Sequence, residues 1–160
     1  MEPNWLNARE ACAWRTFVDA HYRLEFHLTR RLQESGLSGA DYEVLAVLSD
    51  LDGDRMPSHE LRNALGWEKT RLSHQVRRMQ TDGLISREPN PGDARSTMVC
   101  LLPAGRAAIE NAAPGHVQDV RQNFVDLFTP AELDTLTALN QRILHHLASD
   151  HDSPANDEPS

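Results

Sequence analysis

The chain has 160 residues, 39% of them hydrophobic, enough for one compact globular unit with a real core and too few for a second full domain. Its formal net charge of −8 argues against indiscriminate binding of polyanions, and two cysteines, Cys12 and Cys100, exclude a disulfide framework. No signal-peptide pattern opens the chain and no window approaches ~18 apolar residues, so a cytoplasmic protein without a membrane span is expected.

From about Ala8 to Glu34, the residues Trp14, Phe17, Val18, His21, Leu24, Leu28 and Leu32 recur in steps of three and four, the stripe of a long amphipathic helix. "LSGADYEVLAVL" starts a second helix, with Ser38 as N-cap, Asp41 as its capping-box partner, and Tyr42, Leu45 and Leu48 inward. "DLDGDRMP" reads as turn chemistry. A short helix follows in "SHELRNALGW", capped by Ser58, with Leu61 and Leu65 inward and Gly66 at its end. The next helix runs from about Glu68 to Asp82, stops at Gly83 and turns Leu72, Val76 and Met79 to the core.

Beyond Gly83 the period changes. "LISRE" and "STMVCLL" read as strands around a polar tip, "PNPGDAR". Pro103 opens a helix to about residue 127, with a kink expected at Pro114 and Gly115. "TPAE" starts a last helix, with Thr129 capping, Pro130 at the first position, Glu132 in the box position, and a stripe from Leu133 to Leu147. From Ser149 the chain is acidic and lacks large apolar residues, which predicts disorder.

This order predicts a mainly α fold with a small β-hairpin, a winged helix-turn-helix flanked by N- and C-terminal dimerisation helices. The expected layout is residues 1–36 as part of the dimerisation region, 37–102 as the winged domain, 103–148 as dimerisation helices and 149–160 as a disordered tail. The outer helices carry more apolar stripe than the central domain can cover, and a second copy of the chain is the cheapest cover. Charge is also segregated. Residues 55–95 hold eight Lys or Arg against five acids, a net of +3 that leaves −11 elsewhere, so the basic field is local to the paired helices and hairpin.

The stretches "LSGADYEVLAVLSDL", "HELRNALGWEKTRLSHQVRRMQTDGLISRE", "DARSTMVCLLPAGRAAI" and "FTPAELDTL" together resemble the MarR family of bacterial transcriptional regulators, over roughly residues 14–147. The most specific match is Asp93, Arg95 and Gly105 following a basic helix and "GL". The resemblance implies a homodimeric DNA-binding regulator, commonly a repressor, that holds a pseudo-palindromic operator and releases it to a small organic effector. Three features depart from the family's pattern. Arg62 stands where alanine is usual between the paired helices, Leu102 and Pro103 replace a polar opening of the fifth helix, and Gln75 is polar where an apolar residue is common.

With Leu72, Val76 and Met79 inward, Thr70, Arg71, His74 and Arg77 point outward as candidates for the major groove, where arginine pairs with guanine. Ser73 lies at the margin, while Lys69 and Arg78 are expected to hold phosphates. On the hairpin, Asp93 and Arg95 read either as an exposed ion pair or, as the resemblance implies, as a brace and a minor-groove or backbone contact, with Arg87 a further phosphate candidate. Trp14, His21, Tyr22 and Trp67 are candidates for an effector pocket, with ordinary aromatic packing as the alternative.

Cys12 and Cys100 read as small buried residues, with redox sensing by Cys12 as the alternative. The eight histidines do not cluster in the sequence, so neither a metal site nor a cofactor is expected. Two other classes of function compete with DNA binding. A winged-helix module docking a regulatory protein would need an apolar anchor on the outward helical face, which is basic and polar. Catalysis would need a nucleophile-base pair, a phosphate loop or a metal signature, none of which the sequence carries.

Overall fold

Asn7 opens the first helix of the computed structural model, which describes residues 3–151, with side chains through residue 148. Its side chain accepts from the Glu10 backbone while the Glu10 carboxylate accepts from the Asn7 N–H, a capping box that starts α1 (Ala8–Gln33). The expected stripe is present, but Trp14, Phe17, Tyr22 and Phe26 are exposed, and only Leu32 at the far end is buried. Cys12 is exposed too, against expectation, because it lies on this uncovered helix, while Cys100 is buried on a strand.

Helix α2 (Gly39–Ser49) begins at the predicted Ser38–Asp41 capping box. Val44, Leu45 and Leu48 are completely buried. The segment expected to be only a turn contains a strand, β1 (Arg55–Pro57). Its partner β3 (Asp93–Leu101) pairs Arg55 with Cys100, Met56 with Val99 and Pro57 with Met98. Three residues ending in proline show no alternating pattern, and proline fits here because β1 is an edge strand in the order β1-β3-β2.

Helix α3 (Ser58–Leu65) follows directly, with Pro57 rather than Ser58 at the cap position and no side-chain cap bond. Gly66 ends it at φ +65, where the Gly66 and Trp67 N–H groups return to the Asn63 and Arg62 carbonyls. That left-handed turn costs glycine no Cβ clash and launches α4 (Lys69–Thr81) within three residues.

The hairpin is longer than the sequence implied. Strand β2 (Ile85–Asn90) and β3 leave only Pro91 and Gly92 between them, so Asp93 and Arg95 lie on a strand. Side chains extend the ladder at its end. Asn90 donates to Ser96 Oγ at 2.9 Å and accepts from the Gly92 N–H at 3.0 Å, and Asp93 accepts from the Arg95 N–H at 2.9 Å.

Helix α5 (Pro103–Asn123) is continuous through Pro114, the place of the expected kink, and ends before a short 3-10 turn at Val125–Leu127, short of the expected end at about residue 127. Buried Ile109 and Ala112 anchor the turns preceding the proline, so tertiary packing offsets its missing hydrogen bond. The start of α5 lies against the base of the hairpin at Gly105, where a Cβ would sit 2.2 Å from the Leu84 carbonyl oxygen. Arg106 reinforces this corner, donating to the Ser49 carbonyl and pairing with Asp54.

The chain forms two compact units, residues up to 119 and residues from 120 onward. The first has its core where α2, α3, α4 and the sheet meet, at Leu45, Leu48, Leu61, Met79, Ile85 and Val99, all with no exposed surface. The second contains α6 (Pro130–His151), started by the predicted Thr129–Glu132 capping box. Leu139, Ile143, Leu144 and Leu147 of α6 are exposed. The helix reaches His151, past the expected start of the disordered tail, and the rest of that tail lies outside the described residues. Among the described residues, no helix is long and apolar enough to cross a membrane.

Candidate nucleic-acid interface

Helical geometry divides α4 as its sequence predicts: Leu72, Val76 and Met79 are buried, while Lys69, Thr70, Arg71, Ser73, His74, Arg77 and Arg78 are exposed. Beside the helix runs a groove of about 320 Å³. Its walls are His59 and Arg62 of α3, Lys69, Leu72, Ser73 and Val76 of α4, and Arg87, Thr97 and Val99 of the hairpin. The fold thus brings Lys69, Ser73 and Arg87 to one surface and adds Arg62, which the sequence marked only as a crowding problem. Arg62 is half-buried, with its guanidinium directed to Asn63 at 3.5 Å, so the long side chain runs along the groove.

Among the described residues, Lys69, Arg71, Arg77 and Arg95 form no ion pair with a carboxylate, which leaves their charge available to a polyanion. Arg71 is pre-ordered: its guanidinium carbon lies 4.1 Å from the ring centroid of Trp67, a cation–π stack. Arg87 is held at the base of the hairpin by Gln80 at 2.8 Å. Asp93 accepts from the Arg95 backbone N–H and forms no ion pair with its guanidinium, and the Arg95 side chain is exposed.

Arg78 is placed differently from its neighbours. Its Nη2 donates to Asp41 Oδ1 at 2.9 Å and to Ser38 Oγ at 2.9 Å, tying α4 to the start of α2. Gln75, polar where the family's pattern is apolar, is nonetheless buried and donates to the same carboxylate oxygen at 2.5 Å. Burial alone would raise the Asp41 carboxyl. The Ser38 hydroxyl and N–H, then Arg78 by hydrogen bond and charge, outweigh it and hold the group below the usual carboxylate range. A polar residue on a buried helical face was the signal for this cluster, since such a group requires a partner.

The candidate pocket residues separate. Trp14 and Tyr22 are exposed on α1, and Trp67 is in the core. His21 does line a cavity of about 460 Å³, together with Leu28 of α1, Tyr42, Ala46 and Val47 of α2, and His116 of α5. The Tyr42 and His116 ring centroids lie 4.2 Å apart with the rings tilted by 45°, and the His116 Nδ1 is buried with no hydrogen-bond partner among the described residues. Burial holds the His116 imidazole below its ordinary value, opposed by the Asp119 carboxylate, and raises the Tyr42 phenol, aided by Asp50. Burial likewise pushes the Cys100 thiol up, with Glu88 adding to the effect. Among the described residues, no group of three His, Cys, Asp or Glu side chains is arranged to hold a metal ion.

Comparison with known proteins agrees with this architecture. The family model described as MarR family matches residues 35–96, from just before α2 into the first half of β3. AbsC, a MarR family transcriptional regulator from Streptomyces coelicolor, is similar at 38% identity over 92% of this chain and 99% of that one, with a TM-score of 0.88. A second MarR family regulator from the same organism, solved in complex with DNA, is 33% identical over 97% of this chain and 98% of that one, with a TM-score of 0.86. The multiple antibiotic resistance protein MarR of Salmonella typhimurium is 34% identical over 85 residues, which are 53% of this chain and 59% of that protein, so the match spans less than two thirds of that curated relative. The chain belongs to the MarR family, whose members are transcriptional regulators rather than enzymes.

Proposed function

We propose that the protein is a sequence-specific DNA-binding repressor that acts as a homodimer and leaves its operator when a small organic molecule binds. The observation that carries this reading is the α4 surface. Arg71 and Arg77 project from a helix whose opposite side is fully packed, beside a groove whose cations come from α3, α4 and the hairpin. Arg71, Arg77, Thr70 and His74 read bases in the major groove, Lys69, Arg62 and Arg87 hold phosphates, and Arg95 reaches the backbone or minor groove. The similar regulator solved with DNA supports this assignment.

Exposed aromatic residues on α1 and exposed leucines on α6 support the dimer, because a second copy covers such surface without a different partner. The cavity at His21, Tyr42 and His116 supports an effector: its size suits a small organic molecule, and its wall combines apolar side chains with a few polar ones. Repeated selection from a random duplex pool tests the DNA reading. A recovered twofold repeat, with half-site centres about one helical turn (~34–36 Å) apart, is the expected result. A pool that stays random would favour the alternative, a winged-helix module that docks a regulatory protein.

A further inference from the structure

Asp41 receives four donors, which is as many as its two oxygens readily accept. Oδ1 takes the Gln75 amide and the Arg78 guanidinium, and Oδ2 takes the Ser38 N–H at 2.9 Å and hydroxyl at 2.6 Å. Two of these donors stand three residues apart on α4, so a single buried carboxylate grips one turn of that helix from the first turn of α2. The outward residues Arg71, His74 and Arg77 share the rigid rotation of that turn. A helix fixed about its axis presents those side chains at one angle to a groove; a helix free to roll presents them at many.

We propose that Asp41 is a positioning residue for DNA recognition, and that Arg78 is the arm of this clamp rather than a phosphate contact. The inference rests on the DNA-binding reading above. Electrostatics alone predicts the opposite sign. Removing a negative charge from Asp41, or freeing the Arg78 cation, strengthens attraction to a polyanion. Loss of the clamp weakens specific binding, because the reading side chains lose their common orientation.

The test compares wild type, Asp41→Asn, Arg78→Gln and their double variant, with Lys69→Gln as the phosphate-contact control, by titrating the selected operator and a random duplex at several salt concentrations. Circular dichroism at the assay temperature checks each fold, and Arg78→Gln, changed at a half-exposed side chain, covers the case in which Asp41→Asn does not fold. Both clamp variants are expected to lose operator affinity by about tenfold, with random-duplex affinity unchanged or higher for Asp41→Asn, which sheds a negative charge, and unchanged for Arg78→Gln. The double variant should be no worse than the worse single one. The slope of log affinity against log salt should match wild type for Arg78→Gln, and flatten by about 0.9 for Lys69→Gln, the share of one phosphate contact. A slope flattened by about 0.9 in Arg78→Gln, or operator affinity raised in Asp41→Asn, would overturn the clamp while leaving the DNA reading intact. Wild type that cannot tell operator from random duplex would overturn both.

Discussion

Replacing Gly105 by alanine tests how tightly α5 is seated against the hairpin. The new Cβ would lie 2.2 Å from the Leu84 carbonyl oxygen and 2.8 Å from Leu101 Cδ1, whereas Cβ contacts below 3.0 Å are essentially never seen. The oxygen must therefore retreat by about 0.8 Å, and it already accepts the Leu102 N–H at 3.0 Å. Overpacking costs ~1–3 kcal/mol and weakening one buried hydrogen bond ~1 kcal/mol, while alanine's helix preference returns up to ~1 kcal/mol. The net is roughly 2 kcal/mol, a fall in Tm of about 4–8 °C for a chain of this size. Gly115 in the same helix has nothing within 4 Å of its Cβ position, so Gly115→Ala should raise Tm by about 1–4 °C. Thermal unfolding followed by circular dichroism at one fixed protein concentration measures both, since the melting of the proposed homodimer would depend on concentration. Gly105→Ala melting within 1 °C of wild type would refute the close approach.

The remaining predictions concern the core, the wing and the cavity. Leu48→Ala removes a fully buried side chain and should lower stability by ~2–5 kcal/mol in urea unfolding, a loss below 1 kcal/mol arguing against its burial. Arg95→Ala should leave Tm unchanged, because the Asp93 bond uses the backbone N–H, while flattening the salt slope of operator binding by about 0.9. An unchanged slope would remove Arg95 from the phosphate contacts.

His116 is held below its ordinary value in the folded chain, mainly by burial, with Asp119 opposing and the Tyr42 ring in tilted contact with it. Its contribution to stability is therefore complete above the unfolded value of about 6.5 and is lost as pH falls through the folded value. His116→Phe should reduce the drop in Tm between pH 7.5 and 5.5, and equal drops in the two proteins would contradict that role.

The helix-turn-helix was legible because its signals are local. Gly66 and Gly83 punctuate two short apolar stripes, and Leu61, Leu72, Val76 and Met79 sit where the helical period puts them. Strand β1 was not, since three residues ending in Pro57 carry no period and gain their pairing only from β3. Pro114 does not end α5, because its local penalty is outweighed by contacts remote in sequence. The cavity was beyond reach for the same reason: α1, α2, α3 and α5 each supply part of its wall, and the exposed aromatic residues of α1 resemble core residues in one dimension. Arg78 illustrates the limit most clearly. Its sequence position reads like that of Arg77, and only the placement of Asp41 and Ser38 distinguishes them.

The central claim is that exposed arginines of α4 read DNA. Fluorescence anisotropy of wild type and the Arg71→Ala/Arg77→Ala double variant, on DNA from the protein's own upstream region with excess random competitor and at two salt concentrations, addresses it most directly. Each lost arginine–guanine contact is worth ~1–3 kcal/mol, so the variant should bind at least about 30-fold more weakly while wild-type binding resists competitor and falls steeply with salt. Equal binding by the two proteins, or wild-type binding abolished by random competitor, would contradict the account.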